Sequence, residues 1–284
     1  MLIPKVSVII PVYNGAKSLE ECLNSVLKQT YPPFEVIVVD NHSTDETKEL
    51  IHKLKAKNSI VRYVFEFDRG RGNARNTGIG CACGDIIAMT DSDCIVPQNW
   101  IEALINPIIT KNESIVMGSE YDLTNTIWSS QIQATQDSFK EMHREGEHIK
   151  ILDTKNFAAR RDVFAQFLFD PIMKSLEDYE FSLQIRNKIR IYYLPRHQVG
   201  HWHPSSLLTI FKLNLNRAYW AKKIYTKHQN LTFITSEPMF QSFRATSAFI
   251  FPIWITFQFL KRPLLKAWFN LASELGWRIG LLLG

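Results

Sequence analysis

The sequence has few cysteines, and they do not form the pattern that a disulfide framework needs. Only four occur among the 284 residues, at positions 22, 81, 83 and 94, and none belongs to a CxxC pair. This usage is typical of a reduced, cytosolic setting. Residues 1–15 contain a short apolar run that proline interrupts and no small-residue cleavage site, so we expect no secretory signal peptide.

Long apolar runs are missing as well. The longest stretch without a charged residue, 245–260, has 16 residues and contains Pro252. A membrane-spanning helix needs about 20 apolar residues, so this stretch is too short to predict one. The chain is nevertheless 45% hydrophobic and 21% charged. That balance excludes a disordered or fibrous protein and allows a full hydrophobic core.

Acidic residues are scarce toward the end of the chain. Residues 197–284 contain ten Lys and Arg against two Asp and Glu, a net charge of +8. Residues 1–196 contain 23 against 26, a net charge of −3, and only two of the seven tryptophans. We therefore predict a front part that carries out chemistry and a basic, aromatic rear part that meets an anionic partner, either nucleic acid or a membrane surface.

The last segment, 263–284, has the pattern of an amphipathic helix. It bears Trp268 and Trp277, and its polar residues are spaced four apart: Lys266, Asn270, Glu274 and Arg278. On a helix they form one polar stripe on an otherwise apolar cylinder. Such a helix can lie in a bilayer interface with its basic residues toward the lipid head groups. The alternative is an ordinary helix packed on the core.

The front half predicts strands that alternate with helices. Apolar runs predict strands at 5–12, 35–39, 60–66 and 85–89, with a further strand-like stretch at 114–118. Two capping boxes, Ser18 with Glu21 and Ser43 with Glu46, predict helices that run to about residues 28 and 55, and a third helix is predicted at 73–83. Alternation of this kind implies a mostly parallel sheet with helices on both faces.

Polar residues follow the predicted strands, where a parallel α/β sheet binds its ligands. They form three groups, 11–15, 40–45 and 91–93. Asp91 and Asp93 are two apart in an extended segment, so their carboxylates point the same way and can hold a hard divalent cation. Asp-x-Asp is common in loops, but here it directly follows a buried apolar run.

Two later groups can also carry chemistry. Glu177 and Asp178 precede a predicted helix that ends near residue 188. Either acid could be only a helix cap, or it could act as a general base toward a hydroxyl. His201 and His203 would share one face of a strand, as metal ligands or as packed surface residues.

Taken together, these residues resemble family 2 glycosyltransferases of the GT-A fold. The similar stretches occur in the family's order between about residues 5 and 205: VSVIIPVYNG (6–15), VIVVDNHSTDET (36–47), GRGNARNTGI (70–79), GDIIAMTDSDC (84–94), NFAARRDVF (156–164), LEDYEF (176–181) and VGHWH (199–203). The resemblance implies transfer of a sugar from a nucleotide diphosphate sugar to an acceptor hydroxyl, with inversion at the anomeric carbon.

The resemblance also implies roles for individual residues. Those implied to bind the nucleotide sugar are Pro11, Tyr13, Asn14, Asp40, Arg75, Asp91 and Ser92. A divalent cation, Mn²⁺ or Mg²⁺, would be held by Asp93, Asp91 and His201, with His203 as second choice. Asp178 would be the catalytic base and Glu177 its acidic companion. Asn41 departs from the commonest pattern, in which a second Asp follows the first, and this leaves the nucleotide base open.

The implied organisation is a GT-A domain at 1–204, with a donor half at 1–119 and an acceptor half at 120–204, followed by a helical membrane-associating tail at 205–284. We expect residues 121–155 to shape the acceptor pocket. The expected partners are a UDP-sugar, a saccharide or lipid-linked acceptor and the inner face of the cell membrane, rather than nucleic acid. The implied process is synthesis of a surface polysaccharide or a glycolipid.

Two alternatives remain open at this point. A nucleotidyltransferase on a similar sheet would more typically have a Gly-rich, basic loop after its first strand, whereas here Lys17 is the only basic residue of that loop. A non-catalytic module that binds nucleic acid through the basic tail would leave the acidic triplet and Asp178 without a role.

Overall fold

The computed structural model describes residues 3–229 and 264–284, and the chain divides into two compact units. The first unit comprises residues 1–123 and 135–202, and the second comprises residues 124–134 and 203–284. The predicted tail at 205–284 falls within the second unit, which also takes in the short segment 124–134. The apolar run at 245–260 lies outside the described residues.

A nine-stranded sheet forms the centre of the first unit, in the order β3-β2-β1-β4-β8-β6-β9-β5, with β7 paired to β9. The strands are β1 (Val6–Val12), β2 (Glu35–Asp40), β3 (Val61–Phe65), β4 (Ile86–Met89), β5 (Cys94–Ile95), β6 (Ile115–Asp122), β7 (His148–Ile149), β8 (Phe157–Arg160) and β9 (Ile191–His201). Strands β1 to β4 pair in parallel, as predicted. Strand β8 is antiparallel to both of its neighbours, β4 and β6.

Eight α-helices occur in the described residues: α1 (Leu19–Leu27), α2 (Thr47–Lys57), α3 (Arg71–Cys81), α4 (Trp100–Lys111), α5 (Ile127–Glu141), α6 (Glu177–Ile185), α7 (Leu207–His228) and α8 (Leu264–Leu283). The strand period of two places Val8 and Ile10 in one core cluster with α1 and α4, and Ile9 in a second cluster with α3 and α6. Helices therefore cover both faces of the sheet, which agrees with the predicted α/β fold.

Neither predicted capping box forms. Ser18 is the N-cap of α1 but its side chain makes no capping hydrogen bond. Helix α2 begins only at Thr47, and the Ser43 hydroxyl accepts a hydrogen bond from the backbone N–H of Asn14 instead. The reason is tertiary: the loop after β2 uses its serine to hold the loop after β1, so that side chain is not available to the helix.

Two long helices make up most of the part of the second unit that the structure describes. Helices α7 and α8 approach so closely that a Cβ atom on Gly276 would lie 2.4 Å from the Phe211 carbonyl oxygen, and one on Gly280 would lie 2.2 Å from the Leu215 carbonyl oxygen. The small residues of α8 thus allow backbone contact. Among the described residues, no helix combines the length and the hydropathy needed to span a bilayer.

Candidate active site

A cavity of about 320 Å³ opens in the first unit where β1, β2 and β4 end. Its walls include six of the residues that the sequence singled out or placed in doubt: Pro11, Tyr13, Asn41, Asp91, Ser92 and Asp93. The rest of the lining is Val12, Arg69, Gly70, Arg71, Ala74 and Lys174. The expected convergence of strand-end residues at one edge is therefore present, and three cations join the acids there.

Asn14 and Asp40 brace the loops and lie outside the cavity lining. Asn14 has a φ of 52°, which places its Oδ1 to accept a hydrogen bond from the Thr44 N–H at 2.8 Å. The buried Asp40 carboxylate accepts one from the Ser43 N–H at 2.9 Å and one from the Tyr63 hydroxyl at 3.1 Å. The Asn14 side chain thus joins the loops after β1 and β2, whereas Asp40 holds the loop after β2 and binds Tyr63 of β3.

Asn41 orients the loop that follows β3. Its Nδ2 donates to the Asp68 carbonyl oxygen at 2.8 Å, and its Oδ1 accepts from the Gly70 N–H at 2.8 Å. A deprotonated aspartate cannot donate the first of these bonds, which explains why asparagine suits this position better than aspartate. Gly70 has a φ of 149°, a conformation that favours glycine. The same loop brings the guanidinium of Arg69 to 4.7 Å from the Tyr13 ring centroid.

Arg75 lies beneath the cavity and joins two acidic motifs. Its side chain is 1% exposed, and Nη2 donates to Asp91 Oδ1 at 2.8 Å while Nη1 donates to the Glu177 carboxylate. Burial acts to lower the pKa of Arg75, but the charges of Asp91 and Glu177 outweigh it and raise the pKa further above its usual range. This ion triad fixes the end of β4 to the start of α6.

Asp178 lies beside that triad in the first turn of α6. The helix begins at Glu177, so the acid pair forms its first turn rather than preceding it. Burial, together with the charges of Glu177 and Asp153, raises the pKa of Asp178 to about 7, although Arg75 and Lys155 act in the opposite direction. A carboxyl group that titrates near neutral pH can accept a proton from a hydroxyl and return it to solvent.

Asp93 and His201 meet because β5 pairs with the end of β9. His201 Nε2 lies 3.6 Å from Asp93 Oδ2, and the Cys94 sulfur belongs to the same group of potential ligand atoms, within 4.8 Å. Burial raises the pKa of the Cys94 thiol, which favours its protonated form. Sulfur is a soft ligand, whereas the carboxylate and the imidazole of this group suit a divalent cation such as Mn²⁺.

The contact between Asp93 and His201 shifts the pKa of both side chains. Burial acts to raise the pKa of Asp93, but His201 outweighs it and holds the pKa below its usual value. Burial acts to lower the pKa of His201, but Asp93 and Glu120 raise it to about 9. Strand β9 ends at His201, so the expectation that His203 shares its strand face is wrong. His203 belongs to the second unit, where its Nε2 lies 3.2 Å from Gln133 Oε1.

Sequence reasoning missed a charged group next to the Asp93–His201 pair. The Lys155 ammonium lies 2.6 Å from Asp153 Oδ2 and 3.2 Å from Glu120 Oε2. The same Glu120 oxygen lies 3.1 Å from His201 Nδ1. No spacing predicts this group, because residues 120, 153 and 201 come from separate parts of the chain. The only signal was that Lys155 directly precedes the NFAARRDVF stretch.

Comparisons with known proteins agree with this geometry. The family model described as Glycosyl transferase family 2 matches residues 7–168. Glycosyltransferase AglE of Haloferax volcanii is 37% identical over 167 residues, which are 57% of this chain and 54% of that protein. The chain thus spans about half the length of that relative.

Solved structures show the same fold. The mannosyltransferase PcManGT from Pyrobaculum calidifontis, in complex with GDP-Man and Mn²⁺, has a TM-score of 0.70 at 18% identity and covers 98% of this chain and 87% of its own. S. aureus TarS, in complex with UDP, has a TM-score of 0.58 at 20% identity, with coverage of 98% and 90%. The fold is therefore that of the GT-A glycosyltransferases, and the chain belongs to glycosyl transferase family 2.

Proposed function

We propose that this glycosyltransferase moves a sugar from a nucleotide diphosphate sugar to an acceptor hydroxyl, with inversion at the anomeric carbon. The observation that carries the proposal is the bridge from Asp91, in the cavity wall, through Arg75 to Glu177. It holds the adjacent Asp178 in a fixed position relative to a cavity with donor-binding character. One residue that could bind the donor and one that could activate the acceptor are thereby part of one rigid arrangement.

The cavity suits a nucleotide diphosphate. Arg69, Arg71 and Lys174 provide positive charge for phosphate oxygens, and the half-exposed Tyr13 ring, with Arg69 over it, offers a flat surface for a base. Pro11, Asp91 and Ser92 complete the nucleotide side, while Asn14 and Asp40 support it from the loops. Among the similar structures, TarS was solved with UDP and PcManGT with GDP-Man. We propose a UDP-sugar as the donor of this chain.

A divalent cation fits the donor set. Asp93 and His201 would hold it, with Asp91 on its nucleotide side, where Arg75 already engages one carboxylate oxygen. A bound Mn²⁺ or Mg²⁺ supplies positive charge to the diphosphate as it leaves. PcManGT, which has this fold, was solved with Mn²⁺.

The chemistry then assigned to the chain is a single displacement. The acceptor oxygen forms a bond to the anomeric carbon as the bond from that carbon to the diphosphate oxygen breaks. Asp178 takes the proton of the acceptor hydroxyl, and Arg71 and Lys174 add positive charge on the donor side. Attack on the face opposite the leaving group inverts the anomeric centre, so no covalent sugar–enzyme intermediate is required.

The test is a panel of nucleotide sugars with the full chain and Mn²⁺. We expect hydrolysis or transfer with one donor class, and calorimetric binding of the matching nucleoside diphosphate. The anomer of any product, read by NMR, distinguishes inversion from retention. A panel that gives neither turnover nor nucleotide binding would contradict the proposal, whereas a product that retains the donor's configuration would contradict only its stereochemistry.

The proposal also covers where the acceptor is met, and this part of it rests on the second unit. Helix α8 exposes apolar side chains at Leu264, Trp268, Leu275, Ile279 and Leu282, all of which fall on one side of the helix. Residues 197–284 also carry the charge of +8. We propose that this side lies on the anionic inner face of the cell membrane, where the acceptor is a saccharide or a lipid-linked intermediate of surface polysaccharide or glycolipid synthesis.

Cosedimentation with vesicles tests the membrane part. A Trp268→Glu, Leu275→Glu variant should lose most of its binding to vesicles that contain anionic lipid. Ile172→Glu is the matched control, since Ile172 is equally apolar, 70% exposed and located in the first unit. Undiminished binding by the double variant, or a preference for DNA over vesicles, would contradict the membrane surface.

A further inference from the structure

We infer that Glu120 is a positioning residue that holds His201 in the orientation a metal ligand requires, and that Lys155 in turn holds Glu120. The inference rests on the proposed metal site at Asp93 and His201. It assigns a role to a buried charged group, Asp153–Lys155–Glu120, of which only the charges of Asp153 and Lys155 entered the account above, through the pKa of Asp178. All of these residues belong to the first unit.

The first step concerns the two nitrogen atoms of the His201 imidazole ring. His201 Nδ1 lies 3.1 Å from Glu120 Oε2, and Nε2 lies 3.6 Å from Asp93 Oδ2. A carboxylate beside Nδ1 keeps a proton on that nitrogen, so a cation bound beside Asp93 would replace the proton on Nε2 and meet the Nε2 lone pair. Metal-binding histidines are commonly fixed in this way by a second carboxylate, and loss of that partner typically weakens metal affinity about 10–100-fold.

The second step concerns the burial of Glu120. Its side chain is only 6% exposed, so its charge requires a partner within the protein. The Lys155 ammonium supplies it, because Nζ lies 3.2 Å from the same oxygen that faces His201. Burial acts to lower the pKa of Lys155, but Asp153 and Glu120 outweigh it and hold the pKa well above its usual value, so the ammonium stays charged.

The third step concerns what fixes Lys155. Asp153 N-caps the short 3₁₀ turn at Thr154–Asn156 by accepting from the Lys155 N–H at 3.0 Å, and its other oxygen lies 2.6 Å from Nζ of the same lysine. Backbone and ammonium of Lys155 are therefore both held by one carboxylate. The turn leads directly into β8, a central strand, so the whole group is anchored in the sheet.

The chain also contains a matched control. His148 and Glu113 form a similar imidazole–carboxylate pair, with Nε2 lying 3.1 Å and 3.2 Å from the two carboxylate oxygens. Both residues lie outside the cavity lining. Glu113→Gln is thus the same chemical change at an equivalent pair with no proposed link to the metal.

The experiment measures Mn²⁺ binding to the full chain by electron paramagnetic resonance of the free ion, in the presence of UDP and, in a second series, of GDP. Glu120→Gln should weaken Mn²⁺ binding about 10–100-fold, because a glutamine can present an N–H to Nδ1 and favour the wrong tautomer. Glu113→Gln should leave it unchanged. Glu120→Asp, which keeps the charge but shortens the reach, should fall between wild type and Glu120→Gln and serves if the latter does not fold.

A double-mutant cycle separates positioning from general structural support. In a His201→Ala background, the Glu120 variant should cause no further loss of Mn²⁺ affinity, since its whole effect passes through the imidazole. Equal losses in both backgrounds, or a Glu120→Gln affinity within twofold of wild type, would overturn the inference. Absence of Mn²⁺ binding in the wild type would overturn it too, while sugar transfer measured in the same samples decides the proposed function separately.

Discussion

The two acidic motifs of the site, Asp91-Ser92-Asp93 and Glu177-Asp178, are both bound by Arg75. In each motif Arg75 pairs with one acid, Asp91 in the first and Glu177 in the second, and the other acid is the one proposed to take part in the reaction. The environments of the remaining two acids differ. His201 holds the pKa of Asp93 low, whereas burial and neighbouring acids raise the pKa of Asp178. One carboxylate is suited to hold a cation and the other to hold a proton.

The largest effect should come from Asp178→Asn. Transfer to the acceptor should fall about 100–10,000-fold, because the amide cannot take the proton of the hydroxyl. Binding of the nucleoside diphosphate, measured by calorimetry, should stay within a few-fold of wild type. Turnover close to the wild-type rate would show that the difference between Asp93 and Asp178 is not the one proposed.

Arg75→Met removes the shared partner and should affect both motifs together. It leaves the buried Glu177 carboxylate and the partly buried Asp91 carboxylate without their cation, so the free energy of unfolding should fall by about 3–5 kcal/mol in urea denaturation. Arg160→Met is the control: its ion pair with Asp162 is largely exposed, and the expected loss is below about 1 kcal/mol. A similar loss in both variants would mean that Arg75 does not join the motifs energetically.

Asp93→Ala should weaken cation binding and leave the protonation of Asp178 unchanged. Affinity for the nucleoside diphosphate should lose its dependence on Mn²⁺, so the gain in affinity that we expect Mn²⁺ to give the wild type should vanish. The pKa read from the residual activity should stay that of Asp178. Calorimetry with unchanged affinity in the presence of Mn²⁺ would contradict the assignment.

The smallest effect should be on the pH dependence of kcat/KM, which reports directly on the ionisation of Asp178. The pKa of Asp178 is about 7, and the base must be ionised to act. The value of kcat/KM should therefore rise about tenfold per pH unit up to pH 7 and level off above it. The facing charges are Glu177 and Asp153, which raise the pKa, and Arg75 and Lys155, which lower it. Lys155→Met should move the rise to higher pH, and a flat profile between pH 5 and 8 would contradict the base.

Much of this site could be predicted because local patterns carry it. The apolar run before Asp91 predicted a buried strand, and a parallel strand delivers its next residues to the ligand edge of the sheet. Pro11, Tyr13 and the acidic triplet accordingly line the cavity. Arg75 was expected near the nucleotide. Its side chain forms the triad with Asp91 and Glu177 outside the cavity lining, while Arg69 and Arg71 of the same loop and helix line the cavity.

The errors have a common physical origin. Ser43 and Glu46 have the spacing of a capping box, but a neighbouring loop recruits the serine. His201 and His203 have the spacing of a strand, but the strand stops at His201. A local pattern states only which bonds a side chain can make. Which of them forms depends on partners distant in sequence, and the sequence gives no distances to those partners.

The sequence by itself determined the α/β class, the order of its strands and helices, the family and the acids that reach the ligand edge, because these follow from hydrophobic period and from motifs a few residues long. Only the tertiary structure decided that one buried arginine pairs with an acid from each motif, and that Glu120 lies between Lys155 and His201. Those arrangements depend on charges from separate segments brought within about 3 Å of one another, where burial makes each of them require a partner.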